Sequence, residues 1–86
     1  LAQKPVRERV AESILILKNK YGLEQDGQTL NVKLSREELA NIVGTATESL
    51  IRILSDFKKE GIIELELKRI KILDEDHLFH TAHLYD

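Results

Sequence analysis

The stretch Ser35-Arg36-Glu37-Glu38-Leu39-Ala40-Asn41-Ile42-Val43-Gly44-Thr45-Ala46-Thr47-Glu48-Ser49-Leu50-Ile51-Arg52-Ile53-Leu54-Ser55 decides the fold. Ser35 followed three residues later by Glu38 is a capping-box pattern, in which each side chain satisfies a backbone N–H that the new helix leaves open. The helix it starts, about 36–43, turns Leu39, Ala40 and Val43 to one side. Gly44 interrupts it, and glycine is the residue that accepts a positive φ without steric cost. A second helix, about 46–59, then repeats apolar residues at Leu50, Ile53, Leu54 and Phe57, the i, i+3, i+4, i+7 spacing of one buried face. Two helices that cross steeply need a small residue at their closest approach. Ala40, four residues before the glycine, is placed to be that residue. Lys58 and Lys59 suit the negative end of the second helix, and Gly61 closes it.

Outward from this centre, Pro5 opens a helix over about 5–20 in which Val6, Val10, Ile14, Leu17 and Tyr21 recur every three or four residues. Ala11 and Leu15 widen the stripe, and Tyr21-Gly22 ends it. The charges Arg7-Glu8-Arg9…Glu12 read as a solvated face of this helix. Residues 24–28 form a loop, and Leu30, Val32 and Leu34 alternate with polar residues as a short strand. After Gly61, Ile63, Leu65, Leu67, Ile70 and Ile72 alternate with charges, giving a two-stranded hairpin that turns near Leu67–Arg69. Asp74 is placed to cap a last short helix through about Ala82. The order helix, strand, helix, helix, strand, strand, helix is that of an α+β winged helix-turn-helix, with the helix-turn-helix at about 35–59 and the wing at about 62–73.

The chain has 86 residues, enough for one domain (1–86), with 42% hydrophobic and 33% charged residues. With no cysteine, disulfides and thiolate metal sites are excluded. No apolar run approaches the ~20 residues of a membrane span, so no membrane is expected as partner and the cytoplasm is the expected location. The absence of methionine, even at position 1, reads as a processed product or, in preference, a piece of a longer protein. Net charge is −2, with three Lys/Arg against seven Asp/Glu in residues 60–86. That balance argues against a general nucleic-acid binder and allows a specific reader with one basic face. No nucleophile motif, phosphate-cradling glycine loop or spaced carboxylate pair supports an enzyme.

The segments Ser35–Gly44 and Thr47–Leu54 resemble the helix-turn-helix of the Crp–Fnr transcription regulators. Pro5-Val6-Arg7-Glu8-Arg9-Val10-Ala11 is similar to the first helix of that family's DNA domain. Glu60–Leu65 and Arg69–Asp74 are similar to its wing. The resemblance implies the DNA-binding output domain of a bacterial, dimeric regulator, with an N-terminal effector-binding domain and a dimerisation helix elsewhere in the protein. It needs no cofactor in this domain. It leaves the effector open (cyclic nucleotide, redox cluster, haem or another ligand) and RNA polymerase open as a partner. It also implies that Glu48 and Arg52, four residues apart, read base edges of double-stranded DNA. The chemistry agrees: i and i+4 share a helix face, Arg matches O6 and N7 of guanine, and a carboxylate accepts from the cytosine amine.

Two departures shift the expected target. Thr47 stands where many members carry Arg, and Ile51 where some carry a small polar residue. The base-reading face is therefore Thr47, Glu48, Ile51 and Arg52, with Ile51 either on a thymine methyl or extending the core. The wing also lacks the glycine common at its tip.

Other readings compete at each position. Thr45-x-x-Glu48 is itself a capping-box pattern, and Arg52 has Glu48 and Asp56 within an intrahelical ion pair's reach. Ser35, Arg36, Thr45 and Ser49, at helix starts, are candidate phosphate contacts, as Thr47 also is; helix capping is their alternative. On the wing, Lys68, Arg69 and Lys71 either meet flanking phosphates or form an ordinary charged edge. His77, His80 and His83 raise a metal-responsive regulator as an alternative function, but spacing of three spreads them over ~120° of a helix. A winged helix can also serve as a protein-docking module. The outer face Thr47, Glu48 and Arg52 favours DNA over that use.

Overall fold

A computed structural model describes residues 4–83. Helix α1 (Val6–Tyr21) leads through a loop to α2 (Arg36–Val43) and α3 (Thr47–Lys59). Strands β1 (Ile63–Glu66) and β2 (Arg69–Ile72) form an antiparallel hairpin, and α4 (Glu75–Thr81) ends the fold. The core is aliphatic around one aromatic ring. Val10, Ala11 and Ile14 of α1, Leu50 and Phe57 of α3, Ile62 and Ile63 of the hairpin, and Leu78 and Ala82 at the C-terminal end have no measurable exposure. Of the expected stripe of α1, Val10, Ala11, Ile14, Leu15 and Leu17 are buried, Val6 is half-buried at the start, and Tyr21 is 42% exposed beside the helix end.

The capping box at α2 is formed. The Glu38 N–H donates to Ser35 Oγ at 3.0 Å and the Ser35 N–H donates to Glu38 Oε1 at 2.9 Å. Gly44 is left-handed (φ 81°, ψ 44°), and the N–H groups of Gly44 and Thr45 both reach the Ala40 carbonyl. Helix α3 ends in a Schellman turn, with Ile62 N–H donating to the Phe57 carbonyl and Gly61 N–H to that of Lys58. Phe57 and Ile62 are buried under it. In the hairpin, Ile63 pairs with Ile72 and Leu65 with Ile70 on the inward face, while Glu64–Lys71 and Glu66–Arg69 set opposite charges across the ladder.

The short strand expected at Leu30, Val32 and Leu34 is not a strand. Its inward and outward alternation is kept, but the segment makes only isolated bridges, Leu23 with Leu30 and Thr29 with Lys71. Its backbone bonds to β2 and the wing tip are widely spaced. Leu30 N–H donates to the Ile70 carbonyl and Leu34 N–H to the Lys68 carbonyl. The segment therefore fringes β2 without a continuous ladder.

Charges read as a solvated face of α1 are instead ties to the rest of the domain. Arg7 pairs with Glu60, and Arg9 Nη2 donates to the Gly44 carbonyl at 2.9 Å. Glu8 lies 3.3 Å from His83 Nε2. Helix α4 is tied to the same helix through Lys18 and Glu75 at 2.6 Å.

Candidate nucleic-acid interface

Helix α3 carries the candidate face because its two sides differ so sharply. Leu50, Ile53, Leu54 and Phe57 are buried, and Glu48, Ile51 and Arg52 are exposed on the other side. Thr47 and Ser49 are half-buried at its first turn. Ile51 is 49% exposed, so it does not extend the core.

The competing roles for Glu48 and Arg52 are not taken up. Helix α3 is capped at Ala46, with no side-chain cap bond, so the Thr45–Glu48 box does not form. The reason is register: Thr45 is drawn into the turn by its N–H bond to Ala40, one residue before the cap position. Neither the Glu48 carboxylate nor the Arg52 guanidinium has a hydrogen-bond or ion-pair partner among the described residues. Two unengaged charged groups thus stand one turn apart beside an exposed apolar side chain. The open N–H groups of the uncapped first turn lie at the same end of the helix.

The candidate backbone contacts divide by what already holds them. The Ser35 hydroxyl is engaged in its capping box. Arg36 donates through Nη2 to the Leu67 carbonyl at the wing tip, at 3.2 Å. Arg69 is turned away from the tip, paired with Glu24 at 2.8 Å and donating to the Leu30 carbonyl at 3.3 Å. Lys68 is exposed beside the tip residue Leu67, which is 93% exposed. Thr45 is half-buried in the turn.

The histidines diverge. His77 faces Glu60 at 3.9 Å and His83 faces Glu8 at 3.3 Å. Among the described residues, no group of three or more His, Cys, Asp or Glu is arranged to hold a metal ion. No helix among them is long and apolar enough to cross a membrane.

Arg7 and Arg9 are the functional supports that the sequence reading missed. Arg9 caps the turn that orients α3, and Arg7 grips the residue that ends it. A signal existed for Arg7: at ~100° per residue it falls inside the arc between Val6 and Ala11, which is the buried side.

With this geometry in hand, residues 8–80 match the Crp-like helix-turn-helix domain. The chain belongs to that family. It is 38% identical over 76 residues to the CRP-like cAMP-activated global transcriptional regulator of Mycobacterium tuberculosis, covering 86% of this chain and 34% of that protein. In three dimensions it superposes on a CRP/FNR-family transcriptional regulator of Thermus thermophilus with a TM-score of 0.84 and 27% identity, covering 93% of this chain and 41% of that one. It is also similar to the CO-dependent transcription factor CooA of Carboxydothermus hydrogenoformans, with a TM-score of 0.78 and 31% identity over 88% of this chain and 36% of that one. The chain thus spans about a third of the length of the curated relatives it matches. As a Crp-like domain it is a winged helix-turn-helix of the DNA-binding, transcription-regulating kind, and its relatives are regulators rather than enzymes.

Proposed function

We propose that this chain reads double-stranded DNA by laying α3 in the major groove, as the output domain of a dimeric bacterial regulator in the cytoplasm. The observation that carries this reading is the unengaged pair Glu48 and Arg52 on the exposed side of α3, with Ile51 between them. Arg52 supplies the two-pronged grip on a guanine, Glu48 accepts from a cytosine amine, and Ile51 packs on a thymine methyl. Thr47 completes the base-facing set. Thr45 and Ser49, with the open N–H groups at the start of α3, take phosphate oxygens. Lys68 takes a flanking phosphate from the wing. The Ser35 oxygen already accepts from the Glu38 N–H, so its contribution to a phosphate is through donation of its O–H or through its neighbours. Arg69, held by Glu24, supports the wing from behind and reaches a phosphate only if that pair opens.

Two copies bound to an inverted repeat would place their reading helices about one helical turn, ~34–36 Å, apart. The net charge of −2 fits such shared binding better than tight binding by one copy. The effector belongs to an N-terminal domain joined to this one. A relative named for cAMP and another named for CO carry similar domains, so the effector is a property of the sensing part and not of this one. RNA polymerase contact is a further property of the assembled regulator.

The test is selection of bound duplexes from a randomised pool by the wild-type chain and by Arg52→Ala. The variant is expected to lose roughly 1–3 kcal/mol at one base pair and to relax preference there alone. Full affinity with unchanged base preference in Arg52→Ala would overturn the assignment.

A further inference from the structure

The wing tip is a two-residue turn, Leu67-Lys68, built without glycine. Leu67 takes a φ of 52°, a left-handed conformation costly to a side chain of its kind, and is 93% exposed. Such a conformation persists where the surroundings hold it. Two hydrogen bonds reach the tip from the start of the helix-turn-helix. Arg36, first residue of α2, donates through Nη2 to the Leu67 carbonyl, and the Leu34 N–H donates to the Lys68 carbonyl at 3.1 Å. Below them, Leu30 N–H to Ile70 and Ile72 N–H to Gln28 fasten β2 to the same segment.

We propose that Arg36 is a positioning residue that fixes the wing to the helix-turn-helix, so that Lys68 and α3 meet DNA as one rigid unit. This rests on the DNA-binding reading above and changes the role of Arg36 within it. A phosphate ligand at the start of α2 would extend its guanidinium into solvent. Here Arg36 is half-buried as a residue, and its guanidinium is directed along the domain surface to spend a donor on a carbonyl 31 residues away. Its contribution to DNA binding passes through the wing, and the ammonium of Lys68 does the touching. The bond spans from the first residue of α2 to the far end of the hairpin, which places it where leverage on the wing angle is greatest.

Arg36→Met keeps the apolar stem and removes the donors. The first readout uses the free chain. Amide signals of Leu67, Lys68 and Arg69 are expected to shift and their order parameters to fall in Arg36→Met, with those of α1 and α3 unchanged. The second readout is the salt dependence of binding to a selected duplex. Arg36→Met and Lys68→Ala are each expected to lower the salt slope by about one, and the double variant also by about one. A slope lowered by about two in the double variant makes Arg36 an independent phosphate ligand and overturns the proposal. Unmoved wing amides in the free variant overturn it as well. Failure of the wild type to bind any duplex would sink the DNA reading, while the amide measurements would still decide whether Arg36 holds the wing.

Discussion

Arg7 and Glu60 stand 53 residues apart in the chain and meet in a two-point pair, at 2.8 and 2.6 Å. The Arg7 guanidinium also lies 4.8 Å from the centroid of the Phe57 ring. Glu60 is the residue that ends α3, so this pair joins the first helix to the far end of the reading helix. The hydrogen bonds from Arg7 hold the Glu60 carboxyl below the usual carboxylate range, with the nearby Arg7 and His77 charges adding to the effect.

Arg7→Ala removes both the ion pair and the cation–ring contact. Because both partners are about a third exposed, solvent screens the pair, and exposed pairs contribute only ~0.2–1 kcal/mol. The cation–ring contact, between a buried ring and an arginine about a third exposed, adds about 0.5–1 kcal/mol. The expected loss is therefore about 1 kcal/mol, seen as a melting temperature lower by roughly 4–8 °C for a domain of this size. A melting curve that superimposes on wild type would refute it.

Gly44→Ala tests the turn that sets α3 against α2. A Cβ at this position meets nothing within 4 Å, so the cost is that of the backbone alone. Forcing alanine to a φ of 81° costs about 1–2 kcal/mol. Denaturant unfolding should show this loss with an unchanged slope. Loss much above that range would mean that the turn has moved rather than strained.

The helix-turn-helix was legible because its determinants are local. Ser35 and Glu38, Ala40 and Gly44, and the stripe from Leu50 to Phe57 all act within a few residues of one another. The hairpin and its turn at Leu67 followed from alternation of apolar and charged residues. What periodicity cannot report is the partner on the other side of a contact. It marks Arg7 as inward-facing yet is silent on Glu60, and it allows Thr45 to cap α3 when the turn has already claimed Thr45. The segment at Leu30–Leu34 has the alternation of a strand, but pairing depends on where β2 lies, which no local pattern specifies. The tie from Arg36 to Leu67 is hidden for the same reason.

Leu67→Gly relieves the left-handed strain at the wing tip. Against a gain of ~1–2 kcal/mol from the conformation stands ~0.5–1 kcal/mol for the added freedom of glycine in the unfolded chain. A net stabilisation of about 0.5–1 kcal/mol is expected by thermal melting, with the gain confined to this position. A lower melting temperature would mean that the exposed leucine side chain contributes to the fold after all.

Acid unfolding has a share that belongs to Asp26. Its carboxylate accepts from the Thr29 hydroxyl and from the N–H groups of Thr29 and Gln28, in that order of influence, which lowers its pKa to about 2 from an ordinary 3.8. A depressed folded value means that the stabilisation is complete above the ordinary value and is lost as pH falls from there toward about 2. Asp26→Asn removes that titration while keeping an acceptor in the loop. Between pH of about 4 and 2, stability of the variant should fall less steeply than that of wild type. Glu38, lowered by its bonds to Ser35, titrates in both chains, so the difference between the two curves isolates Asp26. Parallel curves across that window would remove Asp26 from the account.

Ile51 provides the most direct test of how α3 faces a base pair. Its side chain is half exposed between Glu48 and Arg52, where burial in the domain gives it no reason to be apolar. Packed on a thymine methyl, it buries about one methyl group at the interface, worth ~0.8 kcal/mol or roughly fourfold in affinity. Replacing that thymine by uracil deletes the methyl and leaves every hydrogen-bonding group in place. Uracil substitution at one position of a selected duplex should thus cost wild type roughly fourfold. Ile51→Ala should lose a similar amount on the thymine duplex and nothing further on the uracil one. If the two losses multiply, Ile51 and the methyl are not partners, and the register of α3 in the groove must be shifted from the one proposed.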